Sequence, residues 1–480
     1  MVALLGHAYL LGFVTHFGLF GNGVDAVVYR HGGSTVLGGE GLYSFSLFDT
    51  NLPFTYPPFA AIVFVVLALM PVATTMVVVD AANLALLYSA VVLSWRLLGY
   101  RGGNTHLVSI GMAIALTWLE PVRMTLWLGQ INLLLLVLVL WDLGRAENSR
   151  LRGIGTGLAA GLKLTPAFFV VYLLALRQWR AAIVAVATFA TTVVCGFALV
   201  FGDAWSFWTS AVFHSDRIGL LQSPANQSIH GALARGWPGG SPPFAVWALC
   251  AALVGVLGLW ASVVAYRRGA RLLSLTLCGM TTPMVSPFSW GHHWVWCVPM
   301  TVLILHHATR GAARWRWAAA FASVVPFVAW YWTAPGEVAV IGTFMFWEPG
   351  VVGLLSRNAY VVAFALCLVG MGAFVFREHA LVRNDAPRLQ LLLEIHRRMS
   401  WTRRRQADQR RRRRRAERAY VSQEAGLRLR PVEEDALDES VRRKESGKIV
   451  DDYRRIDDRR IETSGSRAQF QYVPHSDAVV

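Results

Sequence analysis

Five stretches of this chain are apolar for long enough to cross a hydrocarbon core of about 30 Å, at residues 2–20, 74–94, 181–201, 244–265 and 351–376. Helices of that length confine the chain to one fold class, an all-α, polytopic transmembrane bundle. Six shorter runs, at 57–71, 105–119, 131–143, 270–283, 294–305 and 317–333, lie near the lower limit, so the expected number of passes is about 11–13, some of them half-helices. With 55% apolar and 15% charged residues, the surface of a soluble enzyme is excluded. Met1 to Phe20 ends in no small-residue cleavage site and reads as a retained first span.

Arginine placement predicts orientation, since basic residues near span ends mark the cytoplasmic side. Arg177 to Arg180, Arg267 to Arg271 and Arg310 to Arg316 are cytoplasmic candidates, and so is everything after Phe376. Loops 21–56, 202–243, 284–293 and 334–349 then face outward, while parity between 57 and 152 stays open. The chain divides into a membrane domain, 1–376, and a tail, 377–480, that holds 26 basic and 18 acidic residues. RRRQADQRRRRRR at its centre reads as a topology anchor, or as a basic helix on anionic lipid, rather than as a nucleic-acid site. Beyond residue 420 the mixed charge predicts disorder.

Lysine occurs once in the first 376 residues, as Lys163 within GLAAGLKLTPAFFVVYLLAL. An unpaired cation in a bilayer costs roughly 2.5–3.5 kcal/mol on insertion scales, so Lys163 calls for an anionic partner, either a ligand or a structural ion pair. It lies about midway between Arg152 and Arg177, too far from either end to snorkel easily. Pro166 bends the chain beside it and frees a backbone carbonyl.

Other polar groups collect in the outer loops or interrupt apolar runs. Asp25 comes within a few residues of the first span, where partial desolvation raises its proton affinity and suits it to take a proton from a hydroxyl. Glu40 and Asp49 compete for that role but lie mid-loop among turn residues. Glu120, Arg123, Gln130 and Asn132 interrupt LEPVRMTLWLGQINLLLL and cost energy unless paired, with helix-to-helix hydrogen bonds the plain explanation for the amides. In SPANQSIHGALAR, Asn226, Gln227, Ser228, His230 and Arg235 could line a carbohydrate or phosphate pocket. In SPFSWGHHWVW, His292 and His293 face different sides, so one can meet an anion while the other packs. Two histidines without a third ligand do not make a zinc site. No DxD pair occurs before residue 377, and the five cysteines show no CxxC or Cys/His spacing, so no metal and no cofactor is expected.

DAVVYRHGG, GLYSF, LPFTYPP, LGQINLLLLVL, GLAAGLKLTP, RQWRAA, NQSIHGALAR and SPFSWGHHWVW, in that order, resemble glycosyltransferase family 87, of the GT-C type. The likeness spans roughly residues 20–376. It implies transfer of mannose from polyprenyl-phosphomannose to an acceptor outside the plasma membrane, with inversion from a β donor to an α product, α-1,2 in linkage. The implied acceptors are mannosylated glycolipids such as phosphatidylinositol mannosides, lipomannan and lipoarabinomannan. A phosphate leaving group needs cations rather than a general acid, so one carboxylate suffices, whereas a glycosidase needs two. On that pattern Asp25 is the base. Lys163, Arg123 and one of His292 or His293 would bind the donor phosphate. Tyr29, Arg30, Tyr56, Gln130, Asn132, Asn226, Gln227 and Trp290 contact sugar or acceptor. Trp205, Trp208, Trp294 and Trp347 read first as interface-belt residues.

The rival from another class is a transporter or flippase for an anionic lipid or lipid-linked sugar, with Lys163, Arg123 and the histidines along its path. It would be favoured by an inverted repeat, and none is evident. A structural scaffold would need neither Lys163 nor the histidine pair.

Overall fold

The computed structural model describes residues 21, 23–47, 52–214, 218–309, 317, 321, 323–332, 340–342 and 350–371, all within one compact unit, Met1–His379. The expected first span at 2–20, Asp49, Asp216, Arg217, the arginines from Arg310 to Arg316, Trp347 and the tail from 377 to 480 lie outside the described residues.

In chain order the helices begin with α1 (Val24–Gly38), α2 (Pro58–Ala68), α3 (Val72–Leu97), α4 (Asn104–Leu116), α5 (Glu120–Leu128), α6 (Asn132–Leu143), α7 (Ile154–Leu162) and α8 (Phe168–Ala175). They continue with α9 (Trp179–Leu199), α10 (Phe201–Thr209), α11 (Ile229–Gly236), α12 (Phe244–Arg267), α13 (Arg271–Val285), α14 (Cys297–Thr309), α15 (Val351–Arg357) and α16 (Ala359–Met371). Among the described residues strand pairing consists of two small antiparallel pairs, β1 (Ser46–Leu47) with β2 (Leu52–Pro53) and β3 (Trp330–Trp332) with β4 (Val340–Gly342), and an isolated bridge between Leu119 and Val328.

Helices α3, α9 and α12 are long and apolar enough to cross a membrane, where runs 74–94, 181–201 and 244–265 were expected to do so. Two further spans exist only as bent pairs, α5 with α6 at 119° and α15 with α16 at 88°. Among the described residues that makes three to five crossing segments; the expected span at 2–20 and part of that at 317–333 lie outside them, and shorter runs such as Pro58–Ala68, Asn104–Leu116 and Cys297–Thr309 form helices of about half the needed length. The single run expected at 351–376 is one case, broken around Asn358. The chain is a membrane protein by these helices and by the family reported below.

The half-length helices place the polar groups. Helix α6 has 12 residues and α7 has nine, so they rise only about 18 Å and 14 Å. Gly129, at φ 71°, ends α5 in the left-handed conformation that a side chain disfavours, and this turn delivers Gln130 and Asn132 to the start of α6. Helix α7 stops at Leu162. Lys163 is extended, at φ −153° and ψ 131°, and a short 3-10 turn at Thr165–Ala167 precedes α8. The KLTP segment therefore breaks the helix outright instead of only bending it.

Helix α7 is held at both ends. Asp142, fully buried, accepts hydrogen bonds from Gly153 N (2.8 Å), Thr156 N (3.0 Å) and Thr156 Oγ1 (2.8 Å), which satisfies the open first turn of α7. Gly153, Gly157 and Gly161 lie one turn apart against Ala181, Ala185 and Thr192 of α9, close enough that an added Cβ at Gly157 would overlap the Ala185 carbonyl. Gly157→Val is expected to destabilise the protein by roughly 1–3 kcal/mol. Thermal unfolding in detergent checks this, and an unchanged midpoint would mean that α7 and α9 do not sit this close.

Candidate active site

Asp25 opens α1, in the segment expected to face outward after the first span. Tyr29 is four residues on, and so shares its face. Gln130, from the α5–α6 turn, joins the two: its Nε2 donates to Asp25 Oδ2 at 2.6 Å, and its Oε1 accepts from Tyr29 OH at 2.8 Å and Tyr56 OH at 3.0 Å. The phenol oxygens of Tyr29 and Tyr56 are 2.7 Å apart, with the rings edge to face. Because the carboxylate can only accept and the phenols supply the hydrogens, the Gln130 amide has one workable orientation. Tyr56 is set by TYPP: Pro57 and Pro58 start α2, and Tyr43 OH donates to the Tyr56 carbonyl at 2.8 Å.

Lys163 completes the group. Its Nζ donates to Asn132 Oδ1 at 3.1 Å, lies 3.1 Å from His293 Nε2, and reaches Tyr56 OH at 3.5 Å. All three partners are neutral. The ammonium has only hydrogens to offer, so His293 Nε2 must accept and the imidazole proton sits on Nδ1. Burial, with Lys163 adjacent, holds His292 and His293 well below the usual imidazole pKa, and both are uncharged at neutral pH. Burial likewise raises Asp25 to about 6, although the Gln130 hydrogen bond and the positive charge of Lys163 pull it back.

The turn that carries the histidines, residues 286–296 between α13 and α14, contains four buried polar atoms with no partner among the described residues: Ser289 Oγ, His292 Nε2, His293 Nδ1 and Trp294 Nε1. Burying such atoms unpaired costs about 1–3 kcal/mol each, so their concentration beside an ammonium whose hydrogen-bond partners are all neutral points to a ligand. Trp290 lies parallel to His292 with ring centroids 6.2 Å apart. From Asn132 and His293 an apolar cleft runs between α6, α8 and α13, lined among others by Leu136, Val139, Phe169 and Trp296.

Thus Asp25, Tyr29, Tyr56, Gln130, Asn132, Lys163, His293 and, through the ring stack, His292 and Trp290 come together as the sequence reading expected. Four others stand elsewhere. Arg30 is one residue past Tyr29, hence about 100° round the helix, and donates from Nε to the Met70 carbonyl at 2.9 Å. Arg123, fully buried, donates to the Thr117 carbonyl at 3.1 Å and lies over Trp118 at 4.9 Å, so its described contacts do not bring it to Lys163. Gln227 spends both amide hydrogens on the carbonyls of Pro224 (2.6 Å) and Arg357 (2.8 Å), and its Oε1 accepts from Tyr360 N (3.2 Å). Asn226 accepts from Ser289 N at 3.0 Å and donates to Leu221 O at 3.0 Å. These two amides therefore tie the 220–231 loop to the histidine turn and to α15–α16, rather than facing a pocket.

Two residues that no sequence pattern singles out join the site, Ser289 near the histidines and Tyr360 stacked on Trp294. Glu120 stood out as a carboxylate in apolar sequence, but nothing in its spacing tied it to the histidine turn. No group of three or more His, Cys, Asp or Glu suited to a metal ion occurs among the described residues.

The sequence model of glycosyltransferase family 87 matches residues 54–287. A polyprenol-phosphate-mannose-dependent alpha-(1-2)-phosphatidylinositol mannoside mannosyltransferase of Mycobacterium tuberculosis is 36% identical over 325 residues, covering 64% of this chain and 74% of the relative. A polyprenol-phosphate-mannose-dependent alpha-(1-2)-phosphatidylinositol pentamannoside mannosyltransferase of Mycolicibacterium smegmatis is 34% identical over 349 residues, or 67% of this chain and 83% of that protein. No solved structure matches. With relatives this similar over most of their length, the chain belongs to glycosyltransferase family 87 and is a glycosyltransferase.

Proposed function

We propose that this protein transfers mannose from polyprenyl-phosphomannose to a mannosylated phosphatidylinositol, with inversion, forming an α-1,2 linkage. The names of its relatives support the donor, the acceptor and the linkage. The observation that carries the chemistry is the ammonium of Lys163, held by three neutral groups beside the unpartnered atoms of the histidine turn. A lipid phosphate would give the ammonium a directly bonded anion in addition to the more distant charge of Asp25.

In the proposed reaction the acceptor hydroxyl attacks the anomeric carbon while Asp25 takes its proton. The bond from that carbon to the phosphate oxygen breaks, and the electron pair leaves with the phosphate. Lys163 and the Nδ1–H of His293 meet the charge that develops there. Gln130 and Asn132, which hold Asp25 and Lys163 respectively, fix the spacing of base and leaving group. The apolar cleft beside Asn132 and His293 suits the polyprenyl chain. Arg123 remains a candidate for the phosphate, since the bond to Thr117 uses only its Nε–H.

The site faces outward in this reading. The loops at 144–153, 176–180 and 267–271 are bound together at the other ends of α6, α7 and α12. Arg180 donates to the Ser149 carbonyl at 2.6 Å and Arg271 to the Arg145 carbonyl at 3.3 Å. Their arginine content supports a cytoplasmic placement of that face. The tail from 377, a separate region in this proposal, would lie on the same side.

The test is transfer by the purified, detergent-solubilised chain from synthetic polyprenyl-phosphomannose to a short α-mannoside, followed across pH. Asp25 must be ionised to act, so kcat/KM is expected to rise through about pH 6 and level off above it. Absence of transfer with the donor still bound would refute the acceptor class. A profile flat from pH 5 to 7 would refute the carboxylate base.

A further inference from the structure

We propose that Glu120 is a positioning residue, which together with Tyr360 fixes the histidine turn against Lys163. This rests on the functional reading above only for its kinetic arm. Glu120 is buried at the start of α5, and one carboxylate oxygen accepts from Tyr360 OH. Its other oxygen lies against Gly291, so closely that a Cβ there would overlap it. Gly291 is the residue before His292. The Tyr360 ring in turn stacks on Trp294, with centroids 5.1 Å apart and planes 21° apart, and Trp294 is completely buried. The stretch from Gly291 to Trp294 is thus gripped at both ends by one hydrogen-bonded pair, and His292 and His293 lie between the two grips.

A buried carboxylate bonded to a phenol is a costly way to fill space. What it provides is directional: an acceptor that orients Tyr360, and so Trp294, without adding a side chain under Gly291. His293 is the part of the turn that reaches Lys163, at 3.1 Å. A slack turn would free the ammonium.

Lys163 allows this to be measured without catalysis, because the remaining lysines of the chain, Lys444 and Lys448, lie in the tail and serve as an internal reference. The full-length protein, taken as its monodisperse detergent fraction, is labelled with an amine-acylating reagent and each lysine is quantified by mass spectrometry. Glu120→Ala and Tyr360→Phe are expected to raise Lys163 labelling about tenfold relative to the tail lysines. Glu120→Gln, which keeps an acceptor for the phenol, is expected to stay near the wild type. In the transfer assay the first two should raise the donor KM while the acceptor KM holds. Unchanged Lys163 labelling in Tyr360→Phe, the mildest variant, would overturn the proposal whether or not the wild type transfers mannose. A Glu120→Gln protein labelled as heavily as Glu120→Ala would overturn it too.

Discussion

Asp25→Asn is expected to lower mannose transfer by about 10²–10⁴-fold, the usual contribution of a general base, and to leave donor affinity intact or slightly improved. The asparagine keeps an oxygen for Gln130 Nε2, so the group of Tyr29, Tyr56 and Gln130 stays assembled. What it loses is the ability to take a proton, together with a negative charge that would oppose a phosphate nearby. Glu120 cannot substitute, since its carboxylate is committed to Tyr360 and Gly291. Asp25→Glu should recover little, because a further methylene moves the oxygens off Gln130. Equilibrium binding of labelled donor, measured beside turnover, separates the two effects. Turnover of the asparagine variant within threefold of the wild type would end Asp25's candidacy as base.

The second large effect is expected at Lys163, with the opposite signature. Lys163→Met keeps the length and apolar stem of the side chain but removes the charge. Truncating one partner of a buried charge pair typically costs about 2–5 kcal/mol, so donor Kd should rise at least about 30-fold. Lys163→Arg should not restore it, because a planar guanidinium does not fit the point held by Tyr56, Asn132 and His293. The methionine variant carries a second expectation. Lys163 lowers the Asp25 pKa, so its loss should move the acidic limb of the pH profile to higher pH. Unchanged donor affinity in Lys163→Met would mean that the phosphate is held elsewhere.

Much of this site was legible in the sequence because a bilayer makes isolated polar residues conspicuous. A single lysine in 376 residues, a carboxylate beside the first span and two amides in an apolar run each had to be explained by a partner, and in the fold they are one another's partners. Arg30 and Asn226 show the limit of that logic. Both are polar residues in the right loops, yet one lies on the wrong side of α1 and the other is turned onto backbone, and loop polarity carries neither fact. Glu120 shows the reverse. Its importance lies in contacts with Gly291 and Tyr360, 171 and 240 positions away, which no local pattern encodes. Among the described residues several apolar runs form helices of only half the length of a span, because hydropathy measures how apolar a run is and not whether polar ends cut it short. The family, by contrast, rested on several short segments in fixed order, and membership of it removes support from the transporter and scaffold readings.

The neutral surroundings of Lys163 also bear on turnover. In the proposed reaction a phosphodiester with one negative charge becomes a monoester that carries up to two near neutral pH, since the second ionisation of such phosphates lies near 6. The same ammonium and imidazole hydrogens therefore hold the spent lipid more firmly than the fresh one. If the reaction runs as proposed, such an enzyme should be inhibited by its own by-product, and its pace should follow the escape of polyprenyl phosphate along the cleft more than the transfer of the sugar.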